Sequence, residues 1–189
     1  MTTRDLDYFN NASTGAFKDN TARSITAEKM RDLAESAFKN RGFLVRGLTT
    51  GQSITPLEFV TITQWDAVDS DSDSGFSDGV YTVPVSGRWL ISASAHIGLV
   101  LTTGKIAQVV IYRSTNGGGS YNAMVNGPTS GGTLEAFAAP GVSAISGIFE
   151  LNADDLILLS AYHNDTSAVT VIAENTLTWF SAQYLGESL

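Results

Sequence analysis

The chain has 189 residues, 11 basic against 19 acidic side chains for a formal net charge of −8, and no cysteine. Phosphate neutralisation needs clustered Lys and Arg, so scattered, outnumbered basic residues disfavour nucleic acid and an anionic membrane surface as partners. The absence of thiols removes a disulfide scaffold, a thiolate metal site and a cysteine nucleophile together.

Residues 1–24 are polar and rich in Asn, Thr and Asp, with isolated aromatics at Tyr8, Phe9 and Phe17. Such a segment cannot bury enough apolar surface to order itself, and its aromatics read as anchors for a partner. "MTTRDLDYFNN" lacks the apolar core of a signal peptide, and no run approaches a membrane span. The expected site of synthesis is a cytoplasm.

Residues 25–42 read as one short helix. Thr26 can cap its first turn, Glu28 suits that end of the dipole, and Ile25 with Met30 forms a hydrophobic staple. Met30, Leu33, Ala34, Ala37 and Phe38 make an apolar stripe, and Gly42 supplies the exit. A helix this short is marginal alone, so the stripe needs a surface: its own domain, sister copies or a docking site. Residues 43–56 read as a connector ending at Pro56.

From 57 to 189 the pattern is strands. "FVTIT" (59–63) alternates, and after an acidic loop over 66–79 comes "GVYTVPVSGRWLISASAHIGL". There Trp89, Ile91, Ala93, Ala95 and Ile97 alternate with more polar neighbours, as in a half-buried strand. Further strands are predicted at 106–114, 143–151, 155–162, 168–173 and 176–185. Many short strands with turn signals and no intervening helices imply an antiparallel β-sandwich. The last strand is apolar on both faces: Leu177, Trp179 and Leu185 on one, Phe180, Ala182 and Tyr184 on the other. A sandwich strand needs one buried face. The second face points to a sister subunit, so Trp89, Leu177, Trp179, Phe180, Tyr184 and Leu185 are assigned to core and oligomer interface.

Chemistry is sparse. Asp69, Asp71 and Asp73 alternate as in a calcium loop, yet the glycine comes one place late and Val80 stands where a bidentate Glu is required. They are weak metal candidates, and a solvated loop is the preferred reading. Neither His96 nor His163 belongs to a catalytic motif, and the adjacent Asp154 and Asp155 cannot flank a glycosidic bond from opposite sides. No cofactor and no enzymatic activity are expected. Tyr121, Asn122, Tyr162, His163, Asn164 and Asp165 are candidate ligand-loop residues, since aromatics stack on sugars and amides hydrogen-bond them.

"SGFSDGVYTVPVSGRWLISASAHI" resembles the second-strand region of the C1q and tumour-necrosis-factor-like jelly rolls, with Gly75, Phe76, Pro84, Gly87 and Trp89 at the matching positions. "GIFELNADDLILLSAYHND" and "NTLTWFSAQYLGESL" resemble that family's later strands. The resemblance covers about 57–189 and implies a non-enzymatic jelly roll that trimerises through its inner sheet. Unlike the family's animal members, the chain has no collagen repeat and no cysteine, so extracellular signalling roles do not carry over.

The arm "FKDNTARSITAEKMRDLAESAF" is similar to an N-terminal motif of bacteriophage head and tail fibre-type virion proteins, matching at Phe17, Asp19, Asn20, Thr21, Ile25, Thr26, Met30, Arg31 and Ser36. Together the resemblances imply a homotrimeric capsid decoration, cement or head-fibre protein on the virion surface, made in the bacterial host cytoplasm. Residues 1–42 would dock it on the major capsid protein or a tail or baseplate protein, with Tyr8, Phe9, Phe17, Asp19, Asn20, Ile25, Met30 and Arg31 as contacts. The alternative is a tail-fibre or baseplate receptor-binding protein that recognises a host surface glycan.

Overall fold

The computed structural model describes residues 41–100, 105–126, 130–131, 140–173 and 176–187. Of the arm and helix read over 1–42, residues 1–40, with every docking residue assigned to them, lie outside the described residues, and Gly42, read as the helix exit, instead begins a strand. The β domain is a compact unit, Arg41–Leu189.

Among the described residues the chain runs through β1 (Gly42–Leu48), β2 (Gln52–Ile54), β3 (Val60–Thr61), β4 (Trp65–Asp71), β5 (Phe76–Ser77), β6 (Val80–Thr82) and β7 (Gly87–Val100). It continues with β8 (Ile106–Ser114), β9 (Asn122–Asn126), β10 (Ser130–Gly131), β11 (Pro140–Leu151), β12 (Leu156–His163), β13 (Val169–Val171) and β14 (Trp179–Gly186). The first sheet has the order β2-β13-β7-β14-β1-β4, with β11 along the free side of β7. The second has β10-β8-β12-β6-β5, with β3 on β12 and β9 on β8. Their neighbours pair antiparallel.

The core lies between the sheets. Phe43, Val45, Trp89, Ile91, Ala93, Phe180 and Ala182 enter it from the first sheet, and Tyr81, Val109, Ile111, Ile157 and Leu159 from the second. Phe43 centres an aromatic group, 4.3 Å from the Tyr81 ring and 4.9 Å from Phe180. Each fully buried large apolar side chain contributes about 1.5–3 kcal/mol, so this alternation fixes which face of each strand turns inward.

Three predicted boundaries change. Residues 43–56 are not a connector: they hold β1 and β2, with Phe43 and Val45 in the core. β1 pairs with β14 and β4 on either side, so the sandwich begins at Gly42 rather than at 57. Gly42 is needed there, because a Cβ at φ +149 would fall 2.0 Å from the Ala182 carbonyl oxygen. The acidic run is also strand at both ends, in β4 and β5, and Asp78-Gly79 turns β5 into β6 with φ of 50° and 81°, the left-handed pair that a tight hairpin requires. Finally, β14 starts at Trp179, which leaves Leu177 in the preceding turn.

Candidate functional site

The outward face of the first sheet can be built from strand register. Three rows cross it: Gln183, Leu90 and Ile148; then Leu44, Ser181, Ser92 and Ser146; then Arg46, Trp179, Ser94 and Ala144. The middle row is hydroxyl, with Ser92 and Ser146 hydrogen-bonded at 2.8 Å. The flanking rows are mixed: Leu90 and Ile148 stand beside Gln183 in one, Trp179 and Ala144 beside Ser94 and Arg46 in the other, with Ile148 59% exposed and Leu185, beyond the β14 bulge, 43% exposed. Across β14, β7 and β11 these outward positions carry no charge until Arg88 and Glu150 face each other at one end. Arg46, on β1, pairs with Asp69 at the sheet edge, and that hydrogen bond holds the Asp69 carboxyl below its usual range.

A sheet face left to water normally carries charge, and serine among apolar side chains is the surface of a close contact. β14 makes the contrast within one strand. Phe180 and Ala182 are buried and Tyr184 packs on Trp89 at 5.2 Å, while Trp179, half-buried, and Leu185 point the other way.

The predicted ligand-loop residues do not converge. Asn122 pairs with Arg113 at one end of β8, whereas Tyr162 pairs with Gln108 five residues along, roughly 17 Å at 3.4 Å per residue. His163 is fully buried: its Nε2 meets the Ile54 carbonyl at 3.0 Å and its Nδ1 accepts the Asp165 N–H at 3.1 Å. Asn164 accepts the Ile106 N–H at 2.6 Å. Asp165 pairs with Lys105 at 2.7 Å, which lowers its pKa. These three residues close a turn rather than face a ligand. His96 is buried as well, its N–H donated to Thr178 Oγ1 at 3.1 Å, although the sequence placed it on the more polar face of β7.

The acidic residues divide in the same way. Asp71 accepts the N–H groups of Gly75 and Phe76 at 3.0 and 2.9 Å, Asp73 accepts the Ser72 hydroxyl at 2.9 Å, and Asp69 serves Arg46. Among the described residues no group of three ligating side chains is placed to hold a metal ion. Asp155 is buried against Arg113 and also accepts the Asn152 N–H at 2.6 Å, closing the β11–β12 hairpin.

Of one cluster the sequence reading named Tyr162 but neither of its partners. Phe59, Tyr112 and Tyr162 meet on the outward face of the second sheet, with ring centroids 4.8 Å apart for Phe59–Tyr162 and 5.9 Å for Phe59–Tyr112. The signal was present in the alternation Gln108, Val110, Tyr112 and Leu158, Ser160, Tyr162, whose register puts both tyrosines on one face.

No protein-family model matches the chain, and no curated protein matches its sequence. Solved structures do resemble its fold. The Eiger TNF of S. frugiperda aligns with TM-score 0.58 at 12% identity, over 79% of this chain and 95% of that one. Murine APRIL aligns with TM-score 0.56 at 15% identity, over 78% of this chain and all of that one. The globular domain of zebrafish complement 1qA gives 0.53 at 12%, over 79% of this chain and all of that one. The chain is therefore an all-β, antiparallel jelly roll of the TNF and C1q shape.

Proposed function

We propose that this protein is a non-enzymatic structural component of a bacteriophage virion, a homotrimeric capsid decoration, cement or head-fibre protein. The observation that carries the self-association is the central outward face of β14, β7 and β11, where a serine row lies between rows of apolar and uncharged polar residues and Ile148 is 59% exposed. A three-fold assembly covers such a face once per subunit, and the TNF and C1q-like resemblance implies a trimer through the same sheet. The virion assignment rests on the arm motif around Phe17, Asp19, Asn20 and Arg31. The arm attaches the protein to the major capsid protein or a tail or baseplate protein, and the jelly roll is displayed on the particle surface.

Light scattering of the full chain tests the assembly. Three copies of 20.0 kDa give about 60 kDa, and a 20.0 kDa species at all concentrations overturns it. Deletion of residues 1–24 tests the attachment: the shortened chain is expected to fold but not to join particles. Normal incorporation would show that the arm is not the anchor. A tail-fibre or baseplate protein that reads a host glycan is the second reading, and the exposed aromatic cluster on the second sheet favours it.

A further inference from the structure

Phe59 is 44% exposed, yet its ring is held in place. It stacks on Tyr162 at an interplanar angle of 30° and meets Tyr112 edge-on. Both tyrosines are fixed by strands, Tyr112 on β8 and Tyr162 on β12. The chain before Phe59 is pinned by the Leu57 N–H donating to the His163 carbonyl at 2.9 Å, with Leu57 in the left-handed region at φ 63°. The chain after it is pinned by β3 pairing with β12, Thr61 opposite Ser160. Beside the rings, Val110, Leu158 and Ser160 are buried, so the aromatics stand on a packed floor. Three aromatic rings in contact, one of them open to water, offer a stacking surface whose shape is set by the two strands beneath it.

The chemistry around the ring narrows the occupant. Neither the Tyr112 nor the Tyr162 hydroxyl hydrogen-bonds to protein among the described residues. The cluster therefore offers an apolar face bordered by two open phenol groups, each able to donate and accept. Nearby charge is neutral to acidic: Glu58 is exposed beside Phe59, and Lys105 is already paired with Asp165. The stacked rings leave no slot between them for a proline side chain, which is how Pro-rich peptides are gripped. A ligand must lie across the exposed ring with an apolar face of its own and hydroxyls at its rim.

We propose that Phe59, Tyr112 and Tyr162 form a stacking site for a neutral saccharide on the outward surface of the second sheet. The site stands on its own geometry and rests on the receptor-binding reading only for the biological source of the sugar. It also replaces the dispersed loop residues as the place where that reading would act.

Saturation-transfer NMR on the full chain tests it, with cellohexaose, chitohexaose and maltoheptaose as probes and a decaproline peptide as the contrasting one. At least one oligosaccharide is expected to receive saturation at its ring C–H protons. Phe59→Ala should weaken that binding about tenfold or more, with an unchanged melting temperature because the ring is half exposed. Tyr162→Phe keeps the stack and removes one hydroxyl, and should weaken binding a few-fold, so it decides the matter if Phe59→Ala lowers stability. No transfer from any of the three sugars at millimolar concentration overturns the proposal, as does binding indifferent to both substitutions. Decaproline binding that depends on Phe59 overturns it in favour of a peptide site. These outcomes are separate from the solution mass and particle attachment, which test the virion reading.

Discussion

Substitution of Ile148 by lysine separates folding from assembly. In the single chain Ile148 is 59% exposed on the outward face of the first sheet, so the monomer does not depend on burying it. Full burial of an isoleucine contributes about 1.5–3 kcal/mol, so covering the exposed portion adds about 1–2 kcal/mol per subunit and about 3–5 per trimer. Lysine forfeits this and carries an ammonium into the covered face beside the Arg88–Glu150 row, which adds a desolvation cost to the lost burial. At about 1.4 kcal/mol per decade, lost burial alone shifts the trimer equilibrium by two to four decades. Light scattering across a dilution series should show Ile148→Lys as a monomer where the parent chain is trimeric. The melting temperature of the monomeric variant should correspond to a folded chain, since exposed substitutions usually stay within about 0.5 kcal/mol. A variant that keeps the parent mass throughout the series would refute the assignment of this face.

Three further substitutions probe the core, the same outward face and the Lys105–Asp165 pair. Phe180→Ala removes a fully buried ring packed 4.9 Å from Phe43 and should cost about 3–5 kcal/mol of chain stability in denaturant melts. Its neighbour Trp179→Ala should act mainly on assembly, and equal losses of monomer stability for both would contradict the opposite faces given to them. Asp165, its pKa lowered first by hydrogen bonding to Lys105, contributes stability that is present above its unfolded value near 3.8 and lost as pH falls through the lower folded value. Asp165→Asn should therefore reduce the loss of stability below about pH 4 in thermal melts, and an unaltered acid slope would argue against the pairing.

The long strands β7, β8, β11, β12 and β14 were legible, and β1, β2 and β4 were not. β8 at 106–114 and the alternation from Trp89 to Ile97 read directly, because one apolar face per strand leaves a period of two. β1 was missed because Leu44 puts an apolar side chain on its outward face and Gly47 leaves its inward face without one, which blurs the alternation. β4 was hidden by its own acidity: at a sheet edge only part of a strand needs to be apolar, and Asp69 and Asp71 satisfy Arg46 and a turn instead. The burial of His163 and the meeting of Phe59 with two tyrosines depend on residues far apart in the sequence, so no local pattern announces them.

Immunogold labelling of purified particles with an antibody to the jelly roll tests the central claim, that this is a virion surface protein. Gold spread over the head is the result expected, and it would establish a decoration or head-fibre role with the arm as a capsid clamp. Gold confined to the tail would instead support the receptor-binding reading and direct attention to Phe59 and Tyr162. Particles that carry no gold, from preparations in which the protein is expressed, would contradict the virion assignment while leaving the jelly roll intact.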